Sequence, residues 1–105
     1  MKMIRAIIRP QVQRQAADAL EAAGFVAVTK MDVFGRGKQR GISVGSLQYD
    51  ELPKVLFMLV VEDDQVATAV DCLRNSAYTG NIGDGKIFVS PVEAAYTIRT
   101  GEAGL

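Results

Sequence analysis

Three glycines surround an aspartate and lead into a lysine within residues 79–89, which read Thr-Gly-Asn-Ile-Gly-Asp-Gly-Lys-Ile-Phe-Val. Glycine tolerates positive φ and lets a bound group come close to the main chain. Successive N–H groups in such a loop form a concavity that favours anions. Lys86 adds a full charge, and at about 4 Å from a phosphate oxygen its attraction is roughly 4 kcal/mol at an effective dielectric constant of about 20. The stretch therefore predicts a phosphate-binding loop.

The same residues have a second interpretation that needs no ligand. Asp84-Gly85 between apolar residues is a strong signal for a type I′ hairpin turn. The pattern also differs from the Walker loop, because Ile87 rather than serine or threonine follows the lysine. From this loop alone, a phosphate site and a plain turn both remain open.

Composition limits the kinds of partner and chemistry. The 105 residues fit one domain, and 12 basic residues balance 12 acidic ones, so no global field attracts nucleic acid or an anionic membrane. Histidine is absent and Cys72 is the single cysteine, which argues against zinc sites, histidine-based triads and an internal disulfide. No apolar run approaches the roughly 20 residues of a membrane span, and a cytoplasmic location is predicted.

The elements that must hold the loop follow from periodicity. Alternation and helical spacing predict, in order, a strand at 2–9, a helix from Pro10 to Gly24, strands at 25–33 and 54–61, a helix ending near 75–76, a strand at 86–89 and renewed alternation at 94–99. In the first strand Ile4, Ala6 and Ile8 fall on one face, predicted to be buried, and Arg9 falls on the other. The strand at 54–61 is nearly continuously apolar, which predicts burial on both faces. Two strand–helix–strand units predict an α+β fold, the ferredoxin-like double βαβ sandwich, with an open antiparallel sheet and both helices on one face. The other, apolar face is predicted to be an oligomer surface.

The connection between the two units is unusually long. Residues 35–53 contain four glycines and begin with three cationic side chains, where a hairpin needs only two to five residues. One interpretation is a solvated hairpin tip. The other is a recognition loop whose basic, glycine-rich base closes on an anion while Leu47 and Tyr49 contact a partner.

Several segments together resemble the PII nitrogen-signalling family over essentially the whole chain. They are the glycine loop at 79–89, Tyr-Thr-Ile-Arg-Thr-Gly-Glu at 96–102, the opening Met-Lys-Met-Ile-Arg-Ala-Ile-Ile-Arg-Pro and Gly-Lys-Gln-Arg-Gly at 37–41. Residues 30–41 and 90–93 further resemble the NifI branch, which occurs as paired paralogues beside nitrogenase genes, and this chain is similar to the first of the pair. The resemblance implies one PII-like domain at 1–105, with a central T-loop at about 36–53, a phosphate-binding B-loop at about 79–86 and a C-terminal loop at 100–105.

The resemblance also implies a trimer with ATP or ADP in the clefts between subunits and 2-oxoglutarate bound together with Mg-ATP. The assembly would be a homotrimer or a mixed one with a second paralogue, and the protein target would be nitrogenase. Nucleotide-binding residues implied by the motifs are Thr29, Gly35, Arg36, Gly37, Lys38, Gln39, Gly83, Asp84, Gly85, Lys86 and Arg99, the last reaching the phosphates from an adjacent strand. Gln39, Lys54 and Gly83 would bind 2-oxoglutarate, Gln39 would also hold Mg²⁺, and Arg40, Leu47 and Tyr49 would meet the target.

Three departures from the family pattern bear on these expectations. Thr97 stands where the family has an arginine, which would weaken triphosphate binding or favour ADP or AMP, and Met58 stands where the family has a glutamate near the 2-oxoglutarate site. The central loop lacks the segment that carries the family's modified tyrosine. The main hypothesis is a non-enzymatic nitrogen-status sensor. The alternatives are a small nucleotide-hydrolysing enzyme with Asp84 as its base, a PII-like regulator of another target such as a transporter, or a structural subunit whose glycine loop is only a turn.

Overall fold

A computed structural model of the chain describes residues 1–37, 42–44, 47–49 and 51–105. The predicted site residues Lys38, Gln39 and Arg40 lie outside the described residues. Strands and helices follow one another as β1 (Lys2–Ile8), α1 (Gln13–Ala22), β2 (Thr29–Gly35), β3 (Ile42–Val44), β4 (Leu47–Tyr49), β5 (Leu52–Val61), α2 (Val66–Ala77) and β6 (Gly85–Pro91).

The main sheet confirms the predicted ferredoxin-like α+β architecture. Its strand order is β2-β5-β1-β6, and each neighbouring pair is antiparallel. Both helices lie on one face, as expected, because the buried residues of α1 and α2 belong to one core cluster with those of β1 and β5. The strands β3 and β4, which periodicity did not predict, form a separate two-stranded sheet within the central segment.

Alternation along two central strands builds the floor of this core. Ile4, Ala6 and Ile8 of β1 are at most 2% exposed, which confirms the predicted inward face. The helices contribute small and branched apolar residues at helical spacing, and deep burial of each large one is worth about 2 kcal/mol. The remaining core residues are Val12, Ala16, Leu20, Phe25, Val55, Phe57, Leu59, Val61, Ala69, Leu73 and Ala77.

Both ends of the first helical segment follow from its sequence. Pro10 opens a 3₁₀ turn at Pro10–Val12, where its missing N–H costs nothing. At the other end Gly24 adopts φ +96°, its N–H donates to Glu21, and the Phe25 N–H donates to Leu20 over 2.8 Å. This pair of bonds is a Schellman motif, and it confirms Gly24 as the stop.

The second strand begins later than predicted. Periodicity placed it at 25–33, whereas β2 begins at Thr29. The reason lies in the helix end: the Phe25 N–H closes α1 and its ring is buried there, so this residue is not available to a strand ladder.

The predicted alternation at 94–99 is also not a strand. Only an isolated bridge joins Tyr96 to Ala103 there, and backbone hydrogen bonds from Thr97, Gly101 and Gly104 close a turn instead. Ile98 and Arg99 lie within this turn and are exposed.

The sheet face opposite the helices is open in the single chain. The register places the intervening residues of each strand on it, and β5 is buried only on the helix side rather than on both sides as predicted. Of the open-face residues, Met31 and Phe88 are each 48% exposed. The predicted bare apolar face is therefore present, and its members include Met3, Ile7, Met31, Val33, Leu56, Met58, Val60 and Phe88. In the part of the chain that the structure describes, neither helix is long and apolar enough to cross a lipid bilayer.

Candidate functional site

The glycine-rich stretch connects α2 to β6 rather than two neighbouring strands. Residues 78–84 form the loop, and β6 begins at Gly85. The interpretation of Asp84-Gly85 as a type I′ hairpin turn is therefore wrong, since a hairpin turn joins two antiparallel strands.

Asp84 holds the two ends of this loop together. Its carboxylate accepts hydrogen bonds from the Thr79 N–H at 2.8 Å, the Gly80 N–H at 2.9 Å and the Thr79 hydroxyl. Arg9 Nε donates to the same carboxylate at 3.1 Å. The Thr79 hydroxyl, together with these N–H groups and Arg9, holds the pKa of the Asp84 carboxyl well below its usual range. Asp84 is therefore ionised near neutral pH and holds the loop in shape through these contacts.

Two cationic side chains from distant parts of the chain bind the carbonyl groups of the two residues before Asp84. Arg9 Nη2 donates to the Ile82 carbonyl at 2.7 Å, and Lys54 Nζ donates to the Gly83 carbonyl at 2.7 Å. Three consecutive residues, from Ile82 to Asp84, are thus each held by a side chain that comes from β5 or from the residue after β1. The loop is shaped by long-range contacts as well as by its own glycines.

Two of the glycines are required by this geometry. Gly85 has φ +109°, and a Cβ there would overlap the Ile7 carbonyl oxygen and lie 2.9 Å from its carbon. Gly83 has φ +100°, and a Cβ there would lie 3.1 Å from Arg9 Nη2. A side chain at either position would be strained by φ. At Gly85 the main chain of Ile7 would also block it, whereas at Gly83 the Arg9 side chain would have to shift slightly.

A cavity of about 820 Å³ lies beside the loop, and most of its strand residues come from the open face of the sheet. Its lining combines three cations with apolar side chains and glycines. The lining residues are Ile7, Gly35, Arg36, Gly37, Leu52, Lys54, Ile82, Gly83, Gly85, Lys86 and Phe88. Seven of the residues implied by the resemblance therefore meet at one cavity: Gly35, Arg36, Gly37, Lys54, Gly83, Gly85 and Lys86.

The cavity environment perturbs one of its cations. Partial burial, followed by repulsion from Arg9, lowers the pKa of Lys54 below its ordinary value, and attraction to Asp84 opposes both effects. A bound anion near Lys54 would add to the attraction from Asp84 and offset the cost of burying this positive charge. Lys54 is thus suited to receive an anion, although it is bonded to the Gly83 carbonyl in the single chain.

Among the described residues, three implied ones do not line the cavity: Asp84, which is engaged within the loop, Thr29 and Arg99. Thr29 lies at the other end of β2 from Gly35, six residues or about 20 Å along the strand. Arg99 lies in the exposed turn near the C-terminus, so its predicted placement on an adjacent strand is wrong. Within the described residues, no hydrogen bond or ion pair joins Arg99 to the glycine loop.

Part of the implied site cannot be placed. Lys38, Gln39 and Arg40 lie outside the described residues, and for Leu47 and Tyr49 the structure describes only the backbone of β4. No group of three candidate metal ligands occurs among the residues that are described.

Sequence reasoning missed Arg9 and the apolar part of the lining. Arg9 was assigned to the solvated face of the first strand, and no local signal connects it with Asp84, which lies 75 residues away. Ile7 and Phe88 could have been found, because β-strand alternation places Phe88 on the same side of β6 as Lys86 and register places Ile7 beside Lys86.

Comparison with known proteins gives one consistent result. A family model described as "Nitrogen regulatory protein P-II" matches residues 1–102. The chain is 57% identical over 105 residues to "Nitrogen fixation nifHD region glnB-like protein 1" of Methanococcus maripaludis and 58% identical to the similarly named protein of Methanothermobacter marburgensis, in each case covering all of both chains. It is 47% identical over 108 residues to "Nitrogen regulatory protein P-II 2" of Methanothermobacter thermautotrophicus, covering 99% of this chain and 94% of that protein.

Proposed function

The chain belongs to the P-II family of nitrogen regulatory proteins, and from this premise we propose that it senses nitrogen status by binding an adenine nucleotide beside the glycine loop. The family and the names of its relatives support a regulatory, signalling role. The nucleotide, the effector and the target of that signal are the subject of the proposal.

The cavity carries the proposal. Its volume of about 820 Å³ falls within the range of roughly 300–1,000 Å³ that small-molecule sites occupy. Ile7, Ile82 and Phe88 offer apolar surface for a base, while Lys54 and Lys86 offer positive charge for phosphates. A nucleotide has this same division between an apolar ring and an anionic tail.

We infer that the site is completed by a second subunit. Thr29 and Arg99 are implied in nucleotide binding, yet both are remote from the cavity within one chain. A neighbouring copy would supply them if the apolar open face were covered in a trimer, either a homotrimer or a mixed one with a second paralogue. Arg99 would then meet the phosphates from an exposed turn of the neighbour.

The proposed effector is 2-oxoglutarate, bound together with Mg²⁺ and ATP. Lys54 is the described residue best suited to a carboxylate of this ligand, because it is a desolvated cation next to Gly83. For Mg²⁺, the described lining contains no carboxylate. Asp84, in the adjoining loop, is engaged by Thr79, Gly80 and Arg9. The metal would therefore depend on phosphate oxygens and on Gln39, outside the described residues.

The proposed target is nitrogenase, reached through the central segment that carries Arg40, Leu47 and Tyr49. The relatives' names place those proteins in a nitrogen-fixation nifHD region, which supports this choice. Ligands would change target binding only as far as their affinity differs between two arrangements of that segment.

A nucleotide-hydrolysing enzyme is less well supported by the geometry. Asp84 was the only candidate base, and its oxygens accept hydrogen bonds from Thr79, Gly80 and Arg9. A carboxylate with so low a pKa is a weak general base near neutral pH.

Isothermal titration calorimetry with ATP, ADP and AMP, each with and without Mg²⁺ and 2-oxoglutarate, tests the proposal directly. We expect saturable binding of at least one nucleotide and tighter 2-oxoglutarate binding when Mg-ATP is present. Native mass spectrometry would give the subunit number, and co-purification with nitrogenase, with and without 2-oxoglutarate, would test the target. No heat with any of the three nucleotides would refute the sensor and leave the loop as a structural turn.

A further inference from the structure

The backbone conformation of Arg9 is determined by its neighbours in the chain, β1 and Pro10. It follows directly on β1, and its backbone is extended, with φ −65° and ψ 141°. Pro10 restricts the preceding residue to this conformation. The guanidinium group therefore leaves the end of a central strand in a defined direction.

Its side chain then bonds to two residues of the loop at once. Nε lies 3.1 Å from Asp84 Oδ1, and Nη2 lies 2.7 Å from the Ile82 carbonyl oxygen. The side chains of Arg9 and Asp84 are only 25% and 23% exposed. Arg9 is not among the residues lining the 820 Å³ cavity, so it reaches that site through the loop.

We propose that Arg9 is a positioning residue for the phosphate-binding loop, which holds Ile82 and Asp84 in the shape that lets Gly83 to Lys86 receive an anion. This inference rests on the proposed nucleotide function. It assigns to Arg9 an effect on affinity without a contact to the ligand.

Two physical effects account for this role, and the first of them is specific to arginine. The planar guanidinium presents several N–H donors in a fixed arrangement and can serve a carboxylate and a carbonyl together, which a single ammonium group cannot match. Arg9 also offsets the negative charge of Asp84, which directly precedes Gly85 and Lys86. Without that cation, Asp84 would repel a phosphate bound to the loop.

Four variants of the full-length chain test the role of Arg9. They are Arg9→Gln, Arg9→Lys, the double variant Arg9→Gln with Asp84→Asn, and Arg14→Gln as a control on the exposed surface of α1. Thermal unfolding verifies that each variant is folded, calorimetry measures affinity for ATP and for adenosine, and hydrogen exchange of residues 79–84 measures loop order without any ligand.

We expect Arg9→Gln to weaken ATP binding at least tenfold but adenosine binding less than twofold, with at least tenfold faster exchange at 79–84. Arg9→Lys should recover part of the ATP affinity, and it also serves if Arg9→Gln does not fold. The double variant also weakens the Asp84 contacts with Thr79 and Gly80, so residues 79–84 should exchange at least as fast in it as in Arg9→Gln. Arg14→Gln should match the parent.

Unchanged exchange at 79–84 in Arg9→Gln would overturn the positioning role, as would ATP affinity within twofold of a parent that binds normally. A parent that binds no nucleotide would refute the proposed function instead. The exchange experiment would still decide whether Arg9 orders the loop.

Discussion

Replacing Gly85 with alanine tests how closely β6 must approach β1 at its first residue, directly after the glycine loop. The backbone at Gly85 has φ +109°, and an alanine Cβ would overlap the Ile7 carbonyl oxygen. Gly85 also pairs with Ile8 in the sheet register. The obstacle is main chain in a central strand, so no side-chain rotation can relieve it.

The expected cost in stability has three parts, of which the first is backbone strain from the positive φ. Alanine at such a φ costs about 1–2 kcal/mol in any surroundings. Steric overlap in a packed region adds about 1–3 kcal/mol, and each ladder hydrogen bond lost as the strands separate adds about 1 kcal/mol. Gly85→Ala should therefore lower the free energy of unfolding by about 4 kcal/mol.

Gly104→Ala is the matched control, because Gly104 has φ +100° and nothing within 4 Å of an added Cβ. It should lose only the first part, about 1–2 kcal/mol. Urea unfolding followed by circular dichroism, at one fixed protein concentration since assembly would couple stability to concentration, gives both values. The close approach of β6 to Ile7 would be refuted if the free energies of unfolding of Gly85→Ala and Gly104→Ala differed by less than about 0.5 kcal/mol, which is well below the expected overlap cost.

The other predictions concern charge at the site. Lys86→Ala should weaken ATP binding at least tenfold, about 1.4 kcal/mol, by calorimetry, and unchanged affinity would remove its phosphate role. Gln39→Ala should keep nucleotide binding but lose the response to 2-oxoglutarate, and an equal response in both proteins would contradict that assignment. The pKa of the Asp84 carboxyl is lower in the folded protein than the unfolded value of about 3.9, so the ionised carboxylate stabilises the fold when the pH is above that value. This stabilisation is lost as the pH falls through the lower folded pKa. The parent's stability advantage over Asp84→Asn should therefore be constant above about pH 5 and shrink below about pH 4, and an advantage independent of pH would contradict the ionised contacts.

The sequence predicted those features that depend on local periodicity. Alternation placed Ile4, Ala6 and Ile8 in the core, and Gly24 marked the helix end. The start of β2 was wrong because a helix-closing bond from Phe25 overrides a strand-like pattern, and such tertiary effects are not visible in alternation. Periodicity identifies the face on which a residue lies but not the distant residues that it contacts.

The site followed the same division. Glycine spacing predicted that Gly83, Gly85 and Lys86 belong to one site, and all three line the same cavity, since their relation is local in sequence. The contribution of Arg9 depends on Asp84 and Ile82, which lie 75 and 73 residues further along the chain. Only the pairing of β1 with β6 brings those residues together, and that register is a property of the complete sheet.

Lys54 supplies a physical link between the cavity and the central segment. β5 follows the central segment, and Lys54 lies two residues after the start of that strand. Its ammonium group donates to the Gly83 carbonyl at 2.7 Å. The ammonium group of Lys54 has three N–H donors, so one can bind an anion while another still donates to this carbonyl. The two contacts of Arg9 with the loop need not change. A bound anion would therefore add a restraint at the start of β5 while the loop keeps its shape. It would shift the central segment only as far as its affinity differs between two arrangements of that segment.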